Sequence, residues 1–455
     1  MQKKILLLLL IITSQVYSQC FGELSVGGNH VTTIKPNGTL WGWGYAEYGQ
    51  LGNTSYNEPT PIQLGTANDW EIVLSGVANT FAIKNNGTLW GSGDNLYGGL
   101  GIGSTAINSN IFLQIGTSSN WSKIAAARFF TIALKTDGTI WGWGQNDFFQ
   151  VIGGTVANQL NPVQIGSAND WVDVETTSTN TSFAIKANGT VWGWGANSGM
   201  LLGSSAVSSL STPTQLNTAS DWSKLSAGAS HILALKTNGN LWSWGSGHNG
   251  QLGNNATNSS FNPIQISTDT WIYISAGTHT SYGIKSDGTL WSWGYNNSGQ
   301  LGHGSTSNLL IPTQIGTDTD WVTIDTNQFN FRVATKTDGT VWVWGFNTHG
   351  EFGNGTTVGS NVPVQISSIC VLDTPEIAAP KQISLYPNPT KGLLTVELKN
   401  KSTYELYNLN GLLLKKGSLE SGTNQLSLDA LAAGYYLIKV SDEEGNSSFE
   451  KICKI

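Results

Sequence analysis

Four carboxylates, Asp94, Asp147, Asp173 and Glu175, are the residues with which this chain could cleave a sugar polymer. Glycoside hydrolysis needs two carboxyl groups at a defined separation, and no spacing in the sequence sets one. Histidine would serve metal or proton chemistry. Counted from a lysine that recurs along the chain (Lys35, Lys84, Lys135, Lys186, Lys236, Lys285, Lys336), the position five residues earlier is His30, Asn79, Phe130, Thr181, His231, Thr280 and Phe331. Two histidines in seven do not make a metal ring. Gly245–Gly250 fits the dinucleotide pattern G-x-G-x-x-G, but no helical periodicity follows it. Neither a nucleophile elbow nor His-Glu-x-x-His occurs. The sequence therefore assigns no catalytic residue, no metal ligand and no cofactor.

The recurrence itself is the stronger signal. Seven copies of one phrase run through the chain, led by Trp41, Trp90, Trp141, Trp192, Trp242, Trp291 and Trp342, at intervals of 49 to 51 residues. All 19 tryptophans fall inside this frame. A period of that size marks a propeller or solenoid, whose units bury their apolar faces only against one another. Each unit reads as four short strands. Pro-x-Gln-Ile (Pro162–Ile165) opens it, a strand led by Asp-Trp follows (Asp320-Trp321), then one ending in Ala-Ile-Lys (Ala82–Lys84), then Trp-x-Trp-Gly. Asn-Gly or Asp-Gly separates the last two in every unit, from Asn37-Gly38 to Asp338-Gly339. Pro36 favours a type I turn there, with the glycine left-handed in a G1 bulge. Alternation along Trp-x-Trp-Gly puts Trp41 and Trp43 on one face and Gly42 and Gly44 on the other, leaving room for side chains of the adjacent blade. The seven lysines could line one rim as an anion site, or each could hold its blade edge by a hydrogen bond or prevent edge pairing.

A glycine-rich loop follows each tryptophan strand: Tyr48-Gly-Gln-Leu-Gly52, Asn249-Gly-Gln-Leu-Gly253 and Ser298-Gly-Gln-Leu-Gly302, with weaker copies at Gly98–Gly101 and Gly350–Gly353. With these residues the chain resembles the RCC1 repeat family over residues 20 to about 369. The resemblance implies an all-β fold: a closed seven-bladed β-propeller. Departures are local: Phe148-Phe149-Gln150-Val151 in blade 3, Gly199-Met-Leu-Leu-Gly203 in blade 4, and Phe112 in place of the strand proline in blade 2. Loops vary among blades where strands do not, so the loop aromatics Tyr45, Tyr48, Tyr97, Phe148, Phe149 and Phe346 are the candidate contact residues for a partner.

The two ends of the repeat region complete one unit when brought together. The chain begins with Phe21 in the slot of the Asp-Trp tryptophan and finishes on Pro363–Ile366. Cys20 and Cys370 then meet at the seam, and a disulfide between them is expected outside the cell. Cys453 is left over.

Both termini carry addresses. Lys3 and Lys4 precede the apolar run Ile5–Ile12, and residues 1–18 read as a secretory signal peptide. No apolar run is long enough to span a bilayer. Residues 19–370 form the propeller and 371–382, with Pro375 and Pro380, a linker. Residues 383–455 alternate as strands in a small β-sandwich. Tyr386-Pro-Asn-Pro389, Leu406–Gly411, Leu431–Leu437 and Lys451–Ile455 resemble the C-terminal sorting domain of the Bacteroidetes type IX secretion system. That resemblance implies engagement of the type IX machinery, removal of the sorting domain, and a secreted or outer-membrane surface-attached product. Residues 19–370 hold 11 Lys+Arg against 19 Asp+Glu, a balance of −8 that argues against nucleic acid. The reading is a non-enzymatic binding protein for an extracellular protein or glycan. Its alternative is a polysaccharide-binding lectin or a polysaccharide-degrading propeller enzyme. Non-reducing peptide mapping of the exported chain is expected to return Cys20 and Cys370 as one linked pair; finding both alkylated in the native protein would refute the link.

Overall fold

The computed structural model describes residue 22 and residues 24–204, 207–326, 330–366, 383–387, 390–408, 413–431, 434–442 and 447–454. Residues 1–18, the linker 371–382, and Cys20 and Cys370 lie outside the described residues. The chain divides into two units, Met1–Val371 and Leu372–Ile455.

The first unit holds seven four-stranded antiparallel sheets, each made of four consecutive strands. Blade 1 comprises Leu24–Val26, His30–Ile34, Leu40–Tyr45 and Asn57–Gln63; blade 7 comprises Trp321–Thr326, Phe331–Lys336, Val341–Gly345 and Ser360–Gln365. The first strands pack side by side around the axis, and the fourth strands form the outer edges. The expectation that the Pro-x-Gln-Ile strand opens each unit is corrected: it is the fourth strand of the preceding blade. Pairing of Trp41 with Gln63 and of Trp342 with Gln365 sets this phase. The ends therefore share no sheet, and the ring shuts by blade 7 packing against blade 1.

Tryptophan makes that joint. The second tryptophan of each strand is fully buried and donates its indole N–H to a loop carbonyl of the preceding blade. Trp143 donates to Gly99 at 2.9 Å, Trp194 to Gln150 at 2.9 Å, Trp244 to Leu201 at 3.1 Å, Trp293 to Gln251 at 2.9 Å and Trp344 to Gln300 at 2.8 Å. In blade 2, Ser92 replaces tryptophan and donates its hydroxyl to Gln50 at 3.3 Å. Trp43 donates to Glu351 across the closure at 2.9 Å, so the seam repeats the ordinary blade joint. The glycine face is filled differently from expectation. A Cβ on Gly42 would meet Leu51 at 2.8 Å and Leu64 at 3.0 Å, both from its own blade. These leucines then pack on Trp70, Val73 and Ala82 of blade 2.

The Asn/Asp-Gly-Thr-x-Trp phrase is a relay of hydrogen bonds. In blade 1, Asn37 Oδ1 accepts from the Thr39 amide at 3.1 Å and from its hydroxyl at 2.6 Å, and Thr39 Oγ1 accepts from Trp41 Nε1 at 2.9 Å. Gly38 has φ +77° and donates to Lys35 at 2.9 Å, the expected turn. Blade 5 carries Asn240 in the threonine slot, and Trp242 Nε1 is left buried without a partner.

The second unit is a three-stranded sheet (Ile383–Tyr386, Leu393–Leu398, Gly422–Ser427) and a four-stranded one (Leu413–Leu419, Ser402–Asn408, Gly434–Asp442, Ser447–Lys454). Leu394, Val396, Leu406, Ile438 and Ile452 share one apolar core. Lys454 near the C-terminus donates to the carbonyls of Leu428 at 2.9 Å, Asp429 at 3.2 Å and Leu431.

Asn240→Thr supplies the missing acceptor for Trp242. It is expected to raise stability by about 1 kcal/mol, read from the urea midpoint, because a buried donor without a partner costs about that much.

Candidate functional site

Strand order sorts the connections of every blade onto two faces. Turns between second and third strands lie on one face, beside the links that lead into the next blade. Turns between first and second strands lie on the other, beside the long loops that join third to fourth.

On the first face the recurring lysines are enclosed by tryptophan rings. Lys84 Nζ lies 5.0 Å from the Trp70 ring centroid, 5.1 Å from that of Trp90 and 2.9 Å from Asp69. Lys186 repeats this with Trp171, Trp192 and Asp170, Lys236 with Trp222, Trp242 and Asp221, and Lys285 with Trp271, Trp291 and Asp269. These lysines do not line an anion rim; they hold their blades by bonds to carboxylates, as Lys84 does to Asp69. Each of these four cations is held by two π faces and by a carboxylate one residue before the first tryptophan, or two residues before it in blade 6.

The loops of the second face are pinned from within. Asn95, Asn146, Asn197, Asn296 and Asn347 each accept, through Oδ1, the amide five residues ahead at 2.8–3.0 Å, and each amide nitrogen donates back to loop carbonyls. All six candidate contact residues lie on this face. Tyr45 and Tyr48 meet edge to face at 5.9 Å, and Tyr45 also meets Tyr56 at 5.7 Å and His349 of blade 7 at 4.9 Å. Tyr97 packs on Phe129, with Arg128 stacked on the same ring. Tyr97, Phe148 and Phe346 are exposed, whereas Phe149 is half-buried. The six do not converge on one point; they are spread over blades 1, 2, 3 and 7. Tyr56 and His349 escaped the sequence reading, which met Met200 only as a departure from the glycine pattern.

One slot in these loops requires a left-handed backbone. Gly49, Gly98, Gly250, Gly299 and Gly350 occupy it with φ between +71° and +80°. Blade 3 places Phe149 there at φ +63°, and blade 4 places Met200 at φ +61°. Such a conformation costs a side chain of this size about 1–3 kcal/mol. Met200 was legible as a break in the glycine pattern, but only the backbone angle gives the break its meaning.

The first strands line a central channel of about 300 Å³. Lys123 enters it and is gripped by Asp173 and, at 3.2 Å, by Glu175. Burial pushes the Glu175 carboxyl above its usual range, against the pull of Lys123. Lys224 stands 3.9 Å from the Tyr273 ring, and Asp325 accepts the Val26 amide at 2.8 Å across the closure. The acids Asp173 and Glu175 are thus bound to one lysine. Asp94 accepts the Leu96 amide at 2.8 Å, and Asp147 the Gln145 side-chain amide at 2.7 Å. Among the described residues, no group of three or more His, Cys, Asp or Glu side chains converges on a metal position.

The profile of the regulator of chromosome condensation (RCC1) repeat matches residues 188–235, 238–284, 287–325 and 338–372, and a second RCC1-repeat profile matches 121–150, 222–251 and 271–300. The profile of the secretion system C-terminal sorting domain matches residues 384–454. The chain is an RCC1-repeat propeller with a type IX sorting domain. The ultraviolet-B receptor UVR8 of Arabidopsis thaliana is 25% identical over 40% of this chain and 42% of its own length. The mitochondrial RCC1 domain-containing protein RUG3 of the same plant is 26% identical over 44% of this chain and 47% of its own. The chain thus spans less than half the length of these curated relatives. Prp20p of Saccharomyces cerevisiae superposes with a TM-score of 0.66 at 18% identity, covering 81% of this chain and 90% of that one. Human WBSCR16 does so with 0.61 at 18%, covering 68% and 85%. At such identities the likeness is one of fold. The sorting domain addresses the protein for secretion or surface attachment, and no described helix is long and apolar enough to cross a membrane.

The two histidines five residues before the recurring lysines of this RCC1-repeat propeller, His30 and His231, are braces between blades. His30 Nε2 lies 3.0 Å from Thr80 Oγ1, and His231 Nε2 lies 2.8 Å from Ser281 Oγ, each in the next blade. Burial holds both imidazoles neutral and pulls their pKa from 6.5 down to about 3. The folded state therefore binds fewer protons than the unfolded chain between those values. The stability each neutral ring contributes is complete above about pH 6.5 and is lost as pH falls toward 3. Each is expected to steepen the acid side of the stability profile by up to about 1.4 kcal/mol per pH unit. Urea unfolding at pH 7, 5.5 and 4.5 tests this against the His30→Asn/His231→Asn double variant, which uses the residue blade 2 carries as Asn79 and is expected to give the flatter profile.

Proposed function

We propose that this chain is an exported binding protein whose propeller, residues 19–370, presents its loop face to a protein partner outside the cell. The signal peptide of residues 1–18 and the sorting domain of residues 383–455, reached through the linker 371–382, serve its delivery. One observation carries the reading. Blades 3 and 4 keep Phe149 and Met200 in a left-handed slot where five other blades have glycine. Strain of this kind persists where the side chain is of use. These residues, with exposed Phe148 and Tyr97 one position before the slot, put apolar groups at equivalent places in the loops of blades 2, 3 and 4. Large apolar side chains that contribute little to the core are the usual anchors of a protein interface. Tyr45, Tyr48 and Phe346 extend the surface toward the closure. Prp20p, which shares the fold, is itself a binder of proteins: Gsp1p and histones, and Kap60.

Crosslinking at the cell surface tests the face. Wild-type protein and a Thr136→Arg/Thr237→Arg variant, changed in turns on the opposite face, are expected to retain the same crosslinked partner. A Phe148→Ala/Met200→Ala variant is expected to lose it at least tenfold. Met200→Gly should meanwhile raise stability by about 1 kcal/mol in urea unfolding, since the left-handed strain is relieved. The opposite ranking of the two double variants would refute the assignment of the face.

A further inference from the structure

An outer strand with its main chain unguarded is a place where another chain can add a strand, and propellers expose one such edge per blade. Here the guard is proline. Pro61, Pro162, Pro213, Pro263, Pro312 and Pro363 each stand two residues before the glutamine of the fourth strand that pairs with the first tryptophan of the third. The ladder fixes what that proline does. Ile115 donates to Leu89 at 2.8 Å, and Leu64 to Leu40 at 2.8 Å, so by alternation the groups of Gln114 and Phe112, and of Gln63 and Pro61, turn away from the sheet. Proline in that slot deletes an outward donor. Blade 2 has Phe112 instead, in the strand Asn108–Gln114.

What blade 2 keeps on this edge is the bulge that every fourth strand shares and a bond from the Ser109 hydroxyl to the Ile111 carbonyl at 2.8 Å. Apart from Glu58 no fourth strand carries a charge, so blade 2 lacks the other common guard as well. Four fourth strands are covered near their start by a donor from the preceding blade's loop: Gly355 to Pro59, Gly103 to Leu160, Asn255 to Leu310 and Gly304 to Asn361, at 2.8–3.0 Å. Among the described residues no such bond reaches Asn110 of blade 2; a pocket of about 270 Å³ opens there between Thr54, Ser55, Asn108 and Asn110. Ile111 beside it is 57% exposed. The Phe112 ring packs on Trp70 at 5.6 Å, which holds the strand in place.

We propose that the outer strand of blade 2 is a second contact surface, which takes an extended, uncharged segment of a partner protein as a fifth strand. The occupant follows from the strand. It offers outward main-chain groups and an apolar side chain with no charge, which suits a strand of alternating β-branched residues. A second copy of this chain fits less well, because two propellers of charge −8 repel. This surface is separate from the loop face and stands or falls independently of it.

Blade 6 supplies the control: Ile311 is 51% exposed, occupies the place of Ile111, and precedes Pro312. The probe is a fluorescein-labelled peptide, Lys-Thr-Val-Thr-Ile-Thr-Val-Thr-Lys-amide, titrated with the full-length protein and followed by anisotropy. Saturable binding is expected for wild type and Ile311→Lys, at least tenfold weaker for Ile111→Lys and for Phe112→Pro. Ile111→Lys changes an exposed side chain and keeps the test decisive where Phe112→Pro fails to fold. The proposal is overturned by absence of saturable binding, by equal weakening in Ile111→Lys and Ile311→Lys, or by a dimer in sedimentation that Ile111→Lys dissolves.

Discussion

The propeller depends on one hydrogen bond made once per blade. In six blades a buried indole N–H points out of its own sheet and finds the carbonyl of the preceding blade's loop, and in blade 2 the Ser92 hydroxyl takes its place. Tryptophan combines a large apolar area with a donor at its far end, so the same residue fills the gap between blades and fixes their rotation. The carbonyl it meets belongs to the residue after the left-handed slot, and in four blades that residue is Gln50, Gln150, Gln251 or Gln300, whose side chain accepts an amide within its own loop. Loop shape and blade spacing are thus set by the same short segment. Because the bond from Trp43 to Glu351 is of this kind, closure requires no shared sheet.

This arrangement divides the labour between the two faces. The face of tight turns is occupied by lysines seated between tryptophan rings, each nearly identical to the next and with little freedom to vary. The opposite face needs only its internal asparagine and the docking carbonyl. Everything between those two points can change, and it does, from Tyr97 and Phe148 to Asn249 and Ser298. The binding role proposed above falls to the variable face because the constant face has no side chains to spare.

Much of this was legible beforehand. Tryptophan spacing gave the blade number, and the Asn-Gly and Asp-Gly turns gave the hairpins, because both features recur at positions where a single backbone geometry is required. The phase of the repeat was not legible: Pro-x-Gln-Ile stands equally well at the start of one unit or the end of another, and only the pairing of Trp41 with Gln63 decides. The lysines were equally hidden, since enclosure by Trp70 and Trp90 joins residues of three different strands. Contact residues were readable as aromatics in loops, but grouping them was not. Tyr45 meets His349 only because the last blade returns to the first.

The strain at Phe149 and Met200 separates what the backbone needs from what the side chains do. Each is held on both sides. Behind it, Asn146 or Asn197 fixes the loop; ahead of it, Gln150 O accepts from Trp194 and Ser182, and Leu201 O accepts from Trp244. A glycine in either slot would make every one of those bonds without the left-handed penalty, as Gly299 does between Asn296 and Gln300. The backbone therefore gives no reason for phenylalanine or methionine in this slot. The reason lies with the side chains, of which Met200 is 37% exposed to solvent. An apolar group kept at the surface against local strain is what the binding role proposed above requires of the loop face.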